Sequence, residues 1–149
     1  MEAGEQALTA GHRLLDHVAL EARCERGGVG HDDFFAALVT LRREQAVNMH
    51  HVEPSRVALL QLTPCGLGRF LALTRPDLDE VRARLRVLAA AAEPDVSAPL
   101  ATDLGESPLL VEFLLDEMAR QGLVVASRIG RHHFRVHHST ERAARAHRA

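Results

Sequence analysis

The stretch SPLLVEFLLDEMARQGLVVASRIGRHHFRVHH, residues 107–138, restricts the fold more than any other part of the chain. Ser107 is suited to cap a helix N-terminus, and Pro108 fits the first helical position, where a missing N–H costs nothing. Gly122 marks the stop, because glycine takes the left-handed backbone that closes a last turn. Directly beyond it, LVVASRIGRHHFRVHH reads as two strands around a turn containing Gly130. A capped helix therefore runs straight into a hairpin.

The elements before it extend the pattern. DLDEVRARLRVLAAAAE is an amphipathic helix with Leu78, Val81, Leu85 and Leu88 on one stripe and Asp79 and Glu80 in its first turn. PDVSAP breaks it, and LATDLG forms a short helix before the turn. TRPDLD, residues 74–79, is the candidate boundary, giving domains at 1–76 and 77–149. Helix, short helix, turn, helix, hairpin is an order that resembles a winged helix-turn-helix. LATDLGES is similar to that family's second helix and turn, with Gly105 in the turn, and LLDEMARQGLVV resembles the end of its third helix.

The N-terminal half resembles the same plan less closely. Glu5 to Arg26 reads as one helix, with Leu8, Leu15, Val18 and Ala22 near helical spacing and GGVG ending the run. HDDFFAALVTLRREQAV follows, capped by Asp32 or Asp33, with Phe34, Leu38 and Leu41 facing inward. RVALLQL, 56–62, is a β-type run, and Thr63–Pro64 opens a helix through CGLGRFLAL. AALVTLRREQAV resembles the third-helix ending, and VALLQLTPCGLGRFLAL is similar to a wing strand running into an extra helix. The half departs from the plan in lacking a clear short second helix, and Gln45 stands where glycine is usual. The expected fold is mainly α with small β-hairpins (α+β). It is arranged either as two winged helices in tandem or as one winged helix with a helical dimerisation arm.

Composition narrows the function classes. The N-terminus MEAGEQALTAG is acidic and has no apolar signal-peptide core, and no apolar run reaches the roughly 18 residues that span a bilayer. Cys24 and Cys65 do not make a disulfide framework. The expectation is a cytoplasmic protein with no membrane association. No Walker loop, Gly-x-Ser-x-Gly, His-Glu-x-x-His or Cys-x-x-Cys occurs. GHDD at 30–33, with His12 upstream, faintly resembles the metal-binding His-Asp of phosphohydrolases, but Asp32 and Asp33 already serve as helix-start signals. The chain is expected to be no enzyme and to carry no cofactor.

GRHHFRVHH, 130–138, concentrates four histidines. In a strand, Phe134 and Val136 point inward while His133, Arg135 and His137 point outward. His133 and His137 then lie about 13 Å apart, too far for one zinc ion, and no metal is expected. What remains is an ordinary solvated wing or a surface for a polyanion. The net charge of −2 hides a basic end: residues 121–149 hold six arginines against Glu141, while residues 93–120 hold seven acids against Arg120.

The winged-helix resemblance implies double-stranded DNA as partner and a transcriptional regulator, dimeric in form. Arg128, Arg131, His133, Arg135, His137 and Arg142 are the candidate contacts. The third helix argues otherwise. With Val111, Leu114, Leu115 and Met118 inward, Leu109, Glu112, Phe113, Asp116, Glu117 and Arg120 face outward. An acidic face carrying Leu109 and Phe113 suits a protein partner, with Glu112 and Asp116 at its edge; the other reading is that the neighbouring half of the chain covers the pair. A tandem winged-helix adaptor in a larger complex is therefore the alternative.

Overall fold

In the computed structural model, which describes residues 1–53 and 56–140, the N-terminal segment expected to be one helix is two. The first helix, α1 (Glu2–Ala10), ends on Gly11, whose φ of 72° is left-handed. A short strand, β1 (Leu14–Leu15), follows, and α2 (His17–Arg26) then starts on Asp16. The Asp16 carboxylate accepts the Ala19 N–H at 3.0 Å, satisfying an otherwise orphaned donor. Gln6 brackets the same turn, accepting the Asp16 N–H and donating to its carbonyl. The apparent helical spacing of Leu15 and Val18 was coincidence: Leu15 is buried from a strand and Val18 is exposed.

The next helix, α3 (His31–Arg43), starts on Gly30 rather than on Asp32 or Asp33, which occupy its first turn near the positive end of the helix dipole. Phe34 and Leu38 are buried as expected, and Leu41 half-buried. It ends before the expected Val47 because Gln45 turns left-handed, at φ 58°. A strand the sequence reading did not assign, β2 (Val47–Glu53), then pairs antiparallel with β3 (Arg56–Leu62), whose other edge takes β1. The sheet order is β1-β3-β2. The helix α4 (Pro64–Thr74) starts where Thr63–Pro64 implied, with Thr63 Oγ1 accepting the Gly66 N–H at 3.0 Å.

Glycines let α4 sit close to its neighbours. A Cβ on Gly66 would lie 2.1 Å from the Ala46 carbonyl oxygen, and one on Gly4 would fall inside the Phe70 ring. The helix thus rests directly on the backbone that follows α3.

The chain divides into two compact units, Met1–Thr74 and Arg75–Ala149. The second contains α5 (Leu78–Ala91), β4 (Ser97–Ala98), α6 (Leu100–Leu104), α7 (Pro108–Arg120), β5 (Val124–Arg128) and β6 (Phe134–Ser139). Its sheet order, β4-β6-β5, repeats that of the first unit, and its element order α-β-α-α-β-β repeats the first six elements there. From α3 and α7 onward, equivalent positions lie 77 residues apart, as Val47 and Val124 do, and Thr63 and Thr140. Both helices end alike: Gly122 (φ 70°) occupies the place of Gln45. The next N–H bonds back to the carbonyl five residues earlier, Ala46 to Leu41 at 2.8 Å and Leu123 to Met118 at 2.9 Å.

The expected class, mainly helical with small hairpins, is the one observed. Leu85, Leu110, Leu114, Met118, Phe134 and Val136 are fully or almost fully buried in the second unit. Arg75 ties its start together, donating to both Asp77 oxygens and both Glu106 oxygens at 2.7–2.9 Å.

The exposed apolar stripe expected on α7 is overturned as well. Leu109 and Phe113 do not form an exposed stripe: they are 2% and 8% exposed. Pro108, Leu110, Val111, Leu114, Leu115 and Met118 are buried too, so the apolar arc of α7 is far wider than the four inward positions assumed. What α7 exposes is narrow and polar, centred on Asp116, Ala119 and Arg120, with Glu112 and Glu117 partly covered.

Candidate functional site

The β5–β6 hairpin carries the candidate site. Val124 pairs with Ser139 at its base and Arg128 with Phe134 near its tip. The Ile129 N–H donates to the His133 carbonyl at 3.1 Å and closes the turn. Phe134 and Val136 are buried and Arg135 is exposed, as two-residue alternation requires. The register then shifts. Val125 faces His138 and Ala126 faces Val136, so His137 is an extra residue in the ladder. This bulge puts His137 and His138 both on the exposed side and returns Ser139 to the interior.

The six expected nucleic-acid contacts separate into different groups. Arg131 and Arg135 are exposed, with no carboxylate partner among the described residues, and His133 is exposed beside them. Arg128 is not available in the same way. Its Nη1 donates to Glu112 of α7 at 2.8 Å, and its other nitrogens hold the Gly130 and Arg131 carbonyls. Its guanidinium is neutralised internally and shapes the turn. His137 is also engaged, and Arg142 lies outside the described residues.

Both ring nitrogens of His137 have partners. Nδ1 lies 2.5 Å from an Asp95 carboxylate oxygen, and Nε2 lies 3.2 Å from Ser127 Oγ. Asp95 itself is in the left-handed region at φ 60°, rare for a residue with a side chain. Its N–H donates to the Val136 carbonyl at 3.1 Å, which pins it beside the bulged strand. The sequence reading singled out His137 but neither Asp95 nor Ser127. They stand 42 and 10 residues from it, and no local motif records such a spacing.

On α7, Glu112 is paired with Arg128, and Glu117 accepts from Arg82 at 2.9 Å. Asp116 and Arg120 complete that face. The corresponding face of α3 exposes Asp32, Asp33, Ala36, Thr40 and Arg43. Neither helix presents a continuous cationic surface. Among the described residues no three His, Cys, Asp or Glu side chains are grouped as metal ligands. No described helix is long and apolar enough to cross a membrane.

No family model, curated protein or solved structure matches this chain, so its own residues must carry the functional argument.

Proposed function

We propose that each unit is a winged helix-turn-helix and that the chain is a small cytoplasmic DNA-binding regulator, gripping the duplex backbone through its C-terminal wing. The repeated α-β-α-α-β-β order and the matching sheet orders support the first part. The observation that carries the second is the pair Arg131 and Arg135, exposed on the hairpin with no carboxylate partner among the described residues. His133 and His138 add hydrogen-bonding groups beside them.

This reading makes the wing a phosphate binder and denies α7 a major-groove role. Base readout needs donors presented on the helix, whereas α7 sets Arg120 alone against Asp116 and the partly covered Glu112 and Glu117, which phosphates repel. The adaptor alternative loses the surface it rested on, since Leu109 and Phe113 are buried.

Fluorescence anisotropy with a duplex of arbitrary sequence, across a salt series, tests the proposal. Wild-type protein should bind at low salt and weaken steeply as salt rises. R131A/R135A should weaken binding to all sequences alike and lower the log–log salt slope by about 2, near 0.9 for each lost phosphate contact. Absence of low-salt binding, or an unchanged slope, overturns it.

A further inference from the structure

We infer that Ser127 is an activated nucleophile that accepts acyl groups from small activated esters, with His137 as its base and Asp95 as the residue that positions the base. The inference stands apart from nucleic-acid binding.

The requirement for such chemistry is a chain of contacts. A serine hydroxyl is a weak nucleophile until an adjacent base can take its proton, and that base works best when a third group fixes its ring and tautomer. Here Ser127 Oγ faces His137 Nε2 at 3.2 Å, and His137 Nδ1 faces Asp95 Oδ1 at 2.5 Å. The carboxylate can only accept, so it holds the proton on Nδ1 and leaves Nε2 free to receive one.

Three features of the fold build this arrangement. The bulge turns His137 onto the exposed face beside Arg135. Ser127 is registered directly opposite Arg135, so the guanidinium stands on the same face as the hydroxyl and can meet negative charge developing there. Asp95 adopts the left-handed backbone at φ 60°, and its N–H on the Val136 carbonyl sets its carboxylate at the imidazole. His137 is 40% and Asp95 68% exposed, so a small acyl donor reaches the group without any opening motion.

The step balances. Ser127 Oγ bonds to the acyl carbon as its proton passes to Nε2, and the Asp95 carboxylate offsets the charge on the ring. The tetrahedral adduct collapses by expelling the alcohol oxygen, which leaves with the proton from Nε2. An ester on Ser127 and a free alcohol result. Water, deprotonated by the same nitrogen, then releases the carboxylic acid and restores the serine.

The test is acylation of the full chain by p-nitrophenyl acetate, followed by release of p-nitrophenol and by peptide mapping of the acetyl group. The chain contains no lysine, which removes the commonest competing amines. An acetyl ester on Ser127 is expected. S127A should abolish it, and H137A should slow its formation by about 100-fold. D95N should slow it about tenfold or more while the histidine 15N spectrum shows loss of the Nδ1–H tautomer, a change a merely structural role would not produce. Circular dichroism confirms that each variant is folded. Acetylation confined to the α-amino group or the cysteines, or formation of the Ser127 ester at the same rate in H137A, overturns the inference.

Discussion

Gln45 closes α3 in a backbone conformation that its counterpart, Gly122, adopts without steric cost. A left-handed residue with a side chain costs about 1–2 kcal/mol, and glycine's greater freedom in the unfolded chain returns part of that. Gln45→Gly should therefore stabilise the protein by about 0.5–1 kcal/mol, raising Tm by about 4 °C in calorimetry. Gly66 is the opposite case. Its Cβ would meet backbone at Ala46 rather than a movable side chain, so Gly66→Ala should cost about 3 kcal/mol or more in urea unfolding. Although the helix was expected to run on to Val47, the odd position of Gln45 was visible in the sequence, which has glutamine where glycine is usual. The need for Gly66 was not, because it arises from a contact with Ala46, on the segment leaving another helix.

The helix starts and the loops that join them depend on a few ion pairs. Arg75 holds Asp77 at the start of α5 and Glu106 between α6 and α7, and both pairs are largely screened from solvent at the guanidinium. Arg75→Ala should cost about 2 kcal/mol, read by denaturant unfolding, because the ion pairs to both carboxylates are lost and Glu106 is left partly buried. The hydrogen bond from Arg75 holds the Asp77 carboxyl below its usual range. A depressed folded value means the stabilisation is present above the unfolded value, about 3.9, and is lost as pH falls through the folded one. The gap between wild type and Arg75→Ala should accordingly narrow below about pH 4. His31, at the start of α3, has the opposite sign. Its hydrogen bond to Glu21, and then the charge of Glu21, raise the imidazole above its ordinary value. That contribution is complete below the unfolded value, near 6.5, and disappears as pH rises through the folded one. Thermal melts of His31→Asn should differ from wild type more at pH 5.5 than at pH 8.

Across the chain, one plan of helices and a three-stranded sheet appears twice, each time with its own buried leucines. Fragments 1–74 and 75–149, expressed separately, should each melt cooperatively, though with the marginal stability of small domains. A fragment with a sloping, non-cooperative melt would show that its core is incomplete alone. The duplication also explains why the N-terminal half was harder to read. Its second helix, α2, is long, and the preceding β1 is only two residues, so a run from Glu5 to Arg26 resembled one helix despite Gly11 and Asp16.

Some features could be read from neighbouring residues alone: the proline-led starts of α4 and α7, the glycines at 105 and 122, and the alternation that buries Phe134 and Val136 around an exposed Arg135. Backbone preference and side-chain period act within a turn or a strand, so the linear order carries them. The burial of Leu109 and Phe113, the withdrawal of Arg128 to Glu112, and the joining of Asp95 to His137 came only with the assembled fold. Their free energy depends on which distant segments meet. The strands β1 and β4 show the same thing, for each is two residues long and exists because β3 or β6 offers it an edge.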